Sequence, residues 1–281
     1  MDDETFMTLM RLLPRSAVSS AAGALARARL PTSVHRLAMR GFAAAYGVAL
    51  AQAERGLEGY ETFADFFSRR LKPDLRPVTP GEKVVVAPVD GAVSQIGYAR
   101  GGLCVQAKGI EYPVGKLLAD ELAARRFSDG AFATLYLSPR DYHRIHAPLG
   151  GRVAGYCYLP GELWPVNPRS VRSLEALFCV NERLVTYLET AAGTMALVAV
   201  GATCVARIRA SYDESIVTHA RAPGKAHRYE APIAVDKGAE LGRFEMGSTV
   251  VLLFESGRVK WDEGMGPESK VRMGQRLGEV L

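Results

Sequence analysis

Apolar and polar positions follow two different rhythms along this chain. From Phe6 to about Ala53 the apolar residues recur every three or four positions, with breaks at Pro14 and Pro31. That spacing predicts helices over residues 16–30 and 33–53, each with one apolar stripe. From about Val84 onward the rhythm shortens. β-branched runs bounded by glycine and proline occur at 83–87, 131–137, 152–156, 195–200 and 248–254, and these read as strands of an antiparallel sheet. One short helix is expected over 114–124. The uncharged stretch 190–206 is rich in valine and interrupted by Gly193 and Gly201, so a buried strand pair is expected there rather than a spanning helix. The fold class is α+β: N-terminal amphipathic helices followed by a largely antiparallel, β-rich core. In this reading residues 1–60 form the helical region and 61–281 the β-rich domain.

Composition narrows the partners. The chain has 281 residues, 48% hydrophobic and 23% charged, enough to bury a core of one large or two small domains. A net charge of +5 suits an anionic partner. The basic residues form no stripe interleaved with aromatics, so a membrane surface is expected and nucleic acid is not. Arg11, Arg15, Arg27, Arg29, Arg36 and Arg40 dominate the helical region, which has no acid between Glu4 and Glu54. Such helices either lie in an anionic headgroup layer or pack on the core and turn their arginines to water, and pattern alone leaves both open. The chain opens with acidic residues where a secretory signal needs basic ones, and its uncharged run 41–53 is too short to span a bilayer. Cys104, Cys157, Cys179 and Cys204 are scattered, and read as reduced, mostly buried thiols of a cytosolic compartment.

Three segments carry candidate chemistry. Gly247-Ser248-Thr249 lies in an apolar run. A serine hydroxyl can attack the preceding carbonyl, and glycine leaves room for the geometry, although the same tripeptide is common in turns. Asp90 follows Ala87-Pro88-Val89 and precedes Gly91, a strand-to-turn corner where an aspartate either serves a site or bonds its own backbone. His143 and His146 stand three apart between Pro139 and Pro148. No third ligand stands at a helpful spacing, so no metal is expected. His35, His219 and His227 lack such a setting and read as structural. An acid, two imidazoles and a hydroxyl are the parts of an activated-serine system. A serine hydrolase built on Asp90, His146 and Ser248 is one alternative, but the Gly-x-Ser-x-Gly elbow is absent. A binding module is another, because 271–278 is similar to lipoyl-carrier domains, but it lacks a convincing lysine at a hairpin tip.

The order and separation of these segments resemble the phosphatidylserine decarboxylases, pyruvoyl-dependent lipid enzymes of prokaryotic type. The resemblance extends through Glu61-Thr62-Phe63-Ala64-Asp65-Phe66-Phe67-Ser68-Arg69, Lys108-Gly109 with Tyr112 and Leu117-Leu118, Gly161-Glu162-Leu163-Trp164-Pro165-Val166-Asn167, and Asn181-Glu182-Arg183. Met246 stands where the family most often has leucine, a swap that keeps apolar volume. The resemblance implies that His146, oriented by Asp90, draws the proton from Ser248, and that the chain cuts itself between Gly247 and Ser248. Ser248 then becomes a covalent pyruvoyl cofactor that forms a Schiff base with the substrate. It further implies that His143 returns a proton during the conversion of phosphatidylserine to phosphatidylethanolamine. The expected product is a heterodimer of chains 1–247 and 248–281 from one precursor, with further oligomerisation left open. It would attach peripherally to the cytoplasmic side of the cell membrane.

Overall fold

Pro14 and Pro31 separate the first three helices, α1 (Asp3–Leu12), α2 (Arg15–Arg27) and α3 (Thr32–Tyr46), and α4 (Phe63–Phe67) comes next. The computed structural model describes residues 3–107, 109–203, 207–218, 223–245 and 249–281. Lys108, Cys204, His219, Met246, Gly247 and Ser248 lie outside the described residues. Strands β1 (Val84–Val86), β2 (Gly91–Tyr98), β3 (Leu103–Ala107) and β4 (Ile110–Pro113) lead into α5 (Val114–Leu118) and α6 (Glu121–Ala124). Next come β5 (Gly130–Tyr136), β6 (Arg144–His146), β7 (Gly151–Leu159), α7 (Pro168–Ser173) and α8 (Leu177–Val180). The rest is β8 (Arg183–Thr190), β9 (Gly193–Val200), β10 (Ile208–Ala210), β11 (Lys225–Val235), β12 (Glu240–Phe244), β13 (Thr249–Ser256), β14 (Val259–Trp261), β15 (Lys270–Val271) and β16 (Arg276–Val280).

The expected α+β class with an antiparallel core is what forms. One sheet runs β11-β7-β8-β9-β13-β5-β2-β15, and every neighbouring pair in it is antiparallel. Central β13 is buried from Thr249 to Phe254, which explains its unbroken apolar sequence. A smaller sheet, β10-β12-β6, holds the histidine strand. Register lines up one row across six strands of the large sheet: Arg183, Val200, Thr249, Tyr136, Ala92 and Lys270. Beside this row Gly91 packs so tightly that a Cβ would sit 2.3 Å from the Tyr136 carbonyl oxygen, so only glycine fits. Asp90 precedes that glycine, which puts it at the same end of the sheet as the start of β13.

Several elements differ from the sequence reading. The helix expected over 33–53 stops at Tyr46, because Gly47 takes a left-handed φ of 73° and its N–H caps the Ala43 carbonyl. The helix expected over 114–124 is two pieces. Ala119 turns left-handed (φ 52°) and Asp120 starts α6 by accepting from the N–H groups of Leu122 and Ala123. Among the described residues of the stretch 190–206 one strand forms beyond the end of β8, namely β9, hairpinned to the charged β8, rather than a strand pair of its own. Its uncharged character reflects burial of a single strand on both faces.

The N-terminal helices pack on the core and also leave apolar side chains exposed. Met7 joins the main core, and α3 turns His35, Met39 and Ala43 inward. Met39, Ala43, Val48, Tyr60 and Phe66 form a second core, with Phe42, Leu50, Leu57 and Phe63 packed against it. That core straddles the expected boundary between residues 60 and 61. Burying a Met or Phe side chain contributes roughly 1.5–3 kcal/mol, so α3 is fastened to α4 and the loop between them. The opposite faces expose Leu9, Leu12, Leu25, Val34, Leu37 and Tyr46. Among the described residues no helix is long and apolar enough to cross a membrane.

Candidate active site

His146 ends β6 and is buried. Its Nδ1 lies 2.7 Å from the Gly238 carbonyl oxygen and its Nε2 lies 3.0 Å from the Tyr142 hydroxyl. A carbonyl only accepts, so Nδ1 carries the hydrogen, and Nε2 is left as the acceptor of the tyrosine O–H. Burial lowers the pKa of this imidazole; the Gly238 bond and the charges of Glu240 and Asp90 oppose that shift without reversing it. Burial likewise pushes the Tyr142 phenol up to about 12, so it stays a neutral donor. The pair is therefore a neutral base with a hydroxyl resting on its lone pair.

His143 is fully buried, with its ring centroid 4.1 Å from that of Phe67 at the end of α4. Its Nδ1 donates to the Asp141 carbonyl at 2.9 Å, and its Nε2 has no partner among the described residues. Burial drives its pKa down to about 3. At rest this is an acceptor, and it can act as an acid only after taking up a proton at Nε2. The main chain of His143 accepts from the N–H of Phe244 at 3.0 Å, which sets it beside the end of β12.

Asp90 is buried at the expected corner, but its partners are not those expected. Arg76 grips the carboxylate through Nε at 2.8 and 3.0 Å and through Nη2, and the N–H of Met273 donates at 2.9 Å. The sequence reading has Asp90 orient His146 directly. Here both ring nitrogens of His146 are engaged elsewhere, and the link runs through the backbone: the N–H of His146 donates to the Pro88 carbonyl at 2.8 Å. Removing one partner of a buried ion pair such as Arg76–Asp90 typically costs about 3–5 kcal/mol, so this corner is firmly held.

Gly247 and Ser248 lie outside the described residues, but both flanks are anchored. Glu245 pairs with Arg209 at 2.7 Å and Arg27 of α2 at 3.5 Å. Thr249 sits in the row between Val200 and Tyr136, with its Oγ1 buried and without a partner among the described residues. The described ends of β12 and β13 therefore carry the His143 main chain beside Phe244 and the buried Thr249 hydroxyl, while His146 pairs with Glu240 at the start of β12. Among the described residues no group of three or more His, Cys, Asp or Glu side chains could hold a metal ion.

Sequence reasoning misses Tyr142, Arg76, Gly238 and Glu240. Tyr142 is the one with a local signal, four residues before His146 in the same proline-bounded segment. Glu240 accepts from Arg144 at 2.6 Å and Ser211 at 2.7 Å. Burial alone would raise its pKa, but Arg144 and Ser211 bring it below the usual carboxylate value.

An arrangement of two buried, neutral imidazoles, whose acceptor nitrogens hold at most a hydroxyl among the described residues, defines an acid–base centre suited to activating a hydroxyl. The comparisons with known proteins are specific. The model of the phosphatidylserine decarboxylase family matches residues 63–279. A phosphatidylserine decarboxylase proenzyme of Myxococcus xanthus is 61% identical over 280 residues, covering 100% of both chains. One from an Anaeromyxobacter species is 56% identical over 281 residues, covering 99% of each. One from Azotobacter vinelandii is 43% identical over 286 residues, covering 100% of this chain and 99% of the relative. The chain belongs to the phosphatidylserine decarboxylase family.

Proposed function

We propose that the chain is a phosphatidylserine decarboxylase made as a proenzyme, which cuts itself between Gly247 and Ser248 and converts phosphatidylserine to phosphatidylethanolamine and carbon dioxide. The observation that carries this reading is the pair of buried imidazoles three residues apart, each with Nδ1 on a carbonyl and Nε2 as its acceptor. Nε2 of His146 takes the proton of the Ser248 hydroxyl as its oxygen attacks the Gly247 carbonyl. An ester forms and the serine nitrogen is freed. Loss of the Cα proton and cleavage of the Cβ–O bond release the Gly247 carboxylate. Hydrolysis of the dehydroalanine expels ammonia and leaves a pyruvoyl group on residue 248. Asp90 supports His146 through the Pro88 carbonyl and the rigid Arg76 corner.

The pyruvoyl group supplies a ketone that can condense with the substrate amine and accept the electron pair left by departing carbon dioxide. The surroundings suit a small polar group, since His143 Nε2 and Thr249 Oγ1 are buried without partners among the described residues. Because His143 rests neutral, its Nε2 can take the proton that the substrate ammonium must shed. It then gives that proton to the α-carbon, and the proton count closes.

The two daughter chains stay together in this reading. Residues 249–281 contribute β13, held between β9 and β5, β15 on β2, and β16 on β1. None of these ladders depends on the bond between 247 and 248. Residues 1–60 attach the enzyme peripherally to the cytoplasmic face of the membrane, with the exposed leucines entering the headgroup layer and Arg11, Arg29, Arg36 and Arg40 meeting its anions. The test is His143→Ala in purified protein. It should still cleave, yet release carbon dioxide from phosphatidylserine about a hundred- to ten-thousand-fold more slowly. Full activity, or failure to cleave, would contradict the division of labour between the histidines.

A further inference from the structure

Arg69, just past α4, is only 3% exposed; its guanidinium lies over the Phe66 ring, and its described hydrogen-bond partners are all carbonyls. Nη2 donates to those of Arg140 at 2.8 Å and Asp141 at 3.3 Å, Nη1 to that of Phe67 at 3.4 Å, and Nε has no partner among the described residues. A guanidinium stays charged even when buried, so one without a carboxylate leaves a positive potential that an anion would relieve. Burial is the largest influence on Arg69 and opposes its charge.

This side chain lines a pocket of about 210 Å³ together with Arg76, Arg140, Lys270, Arg272, Asp90 and Asp141. Arg76 is committed to Asp90, and Asp141 accepts from the Ser138 N–H at 2.7 Å and lies 3.9 Å from Arg140 Nε, a loose pair at the pocket's edge. Lys270 and Arg272 are exposed and form no ion pair among the described residues. Five cations against two carboxylates leave a surplus of positive charge. The neighbouring cleft at His146 is balanced instead, with Arg70, Lys72 and Arg76 facing Glu54, Asp74 and Glu240. The cationic pocket is smaller than the roughly 300 Å³ at which pockets for whole ligands begin, so it suits a headgroup fragment.

Its position links lipid to site. Lys270 belongs to the row that continues through Ala92 and Tyr136 to Thr249. Gly47 and Ala49 form its other wall, immediately after the helix that exposes Val34, Leu37 and Tyr46. We propose that this pocket binds the phosphodiester of a phospholipid headgroup, with Arg140, Lys270 and Arg272 neutralising the phosphate and buried Arg69 setting the potential. The proposal rests on the reading of the chain as a phosphatidylserine decarboxylase.

The test uses the full, matured chain and a short-chain phosphatidylserine kept monomeric, so that surface attachment plays no part. Lys270→Glu with Arg272→Glu should cleave normally and raise KM about ten-fold or more while kcat stays within about two-fold, as expected for lost charge-assisted contacts. Arg272 adjoins Met273, which bonds Asp90, so Lys270→Glu alone is the second variant and should shift KM in the same direction. The conservative Lys270→Arg should restore KM, and Lys260→Glu, exposed on β14, should leave it unchanged. Glycerophosphoserine should inhibit the wild type competitively and the double variant far less. An unchanged KM in both charge-reversed proteins would overturn the pocket while leaving the decarboxylase reading intact. Inorganic phosphate inhibiting as strongly as glycerophosphoserine would overturn the lipid assignment. A wild-type chain without decarboxylase activity would overturn the underlying reading and the pocket with it.

Discussion

The Tyr142 hydroxyl rests 3.0 Å from Nε2 of His146, and that contact, with the Gly238 carbonyl on Nδ1, fixes which ring nitrogen is the base. It also means that the base is not free at rest. To take the serine proton, Nε2 must exchange one hydroxyl for another, and Tyr142 must turn away or share.

Tyr142→Phe should therefore still self-cleave. It loses one buried hydrogen bond, which costs about 0.5–1.5 kcal/mol of stability, and the ring loses one of its two restraints. Cleavage should slow by less than the roughly hundred-fold or greater loss expected for His146→Ala. Time courses on denaturing gels would measure both. A Tyr142→Phe protein as inert as His146→Ala would mean that the tyrosine itself takes part in the proton transfer.

Much of this site is legible in the sequence for simple reasons. Asp90 lies between a strand and a glycine, and both imidazoles lie in one proline-bounded segment, so local chemistry marks them. Their partners are not legible. Arg76 is 14 positions from Asp90, and Gly238 is 92 from His146, so only the folded sheets bring them together. The same limit applies to β11, an exposed edge strand of the large sheet whose polar sequence hides its pairing with β7. It applies also to the two faces of α1–α3, where an apolar stripe fits the core and further leucines remain outside.

Stability should depend on pH through two buried groups of opposite sign. His143 titrates near 6.5 unfolded but at about 3 in the fold. Below pH 6.5 the unfolded chain takes up a proton that the folded chain refuses, so stability falls toward acid by up to about 1.4 kcal/mol per pH unit. Burial raises the Glu182 carboxyl from 4.5 to about 7. Its neutral form is the one that the fold tolerates, so stability is lost as pH rises from 4.5 through about 7. Urea unfolding of the uncleaved Ser248→Ala protein, with and without Glu182→Gln, would separate the two. The glutamine variant should gain on its parent between pH 4.5 and 7 and hold that gain above. A difference independent of pH would contradict the buried neutral acid.

Membrane attachment should depend on the exposed leucines of the helices. Leu12, Leu25 and Leu37 are 79%, 63% and 72% exposed, so replacing them with aspartate should cost little stability. Co-flotation with anionic liposomes should fall sharply in the triple variant. High salt should weaken flotation of the wild type only partly, because screening at about 3 Å in 1 M salt removes the arginine attraction and leaves apolar burial. Equal flotation of variant and wild type would move the lipid contact away from these helices.

Intact-protein mass spectrometry of the purified chain tests the central claim most directly. The wild type should appear as two chains, residues 1–247 ending in a free carboxylate and residues 248–281 lighter by one ammonia than a simple hydrolysis product. Ser248→Ala should remain a single full-length chain. A wild-type protein that stays whole, a fragment that begins with an ordinary serine amine, or cleavage of Ser248→Ala at the same bond would each contradict self-maturation by the hydroxyl of Ser248.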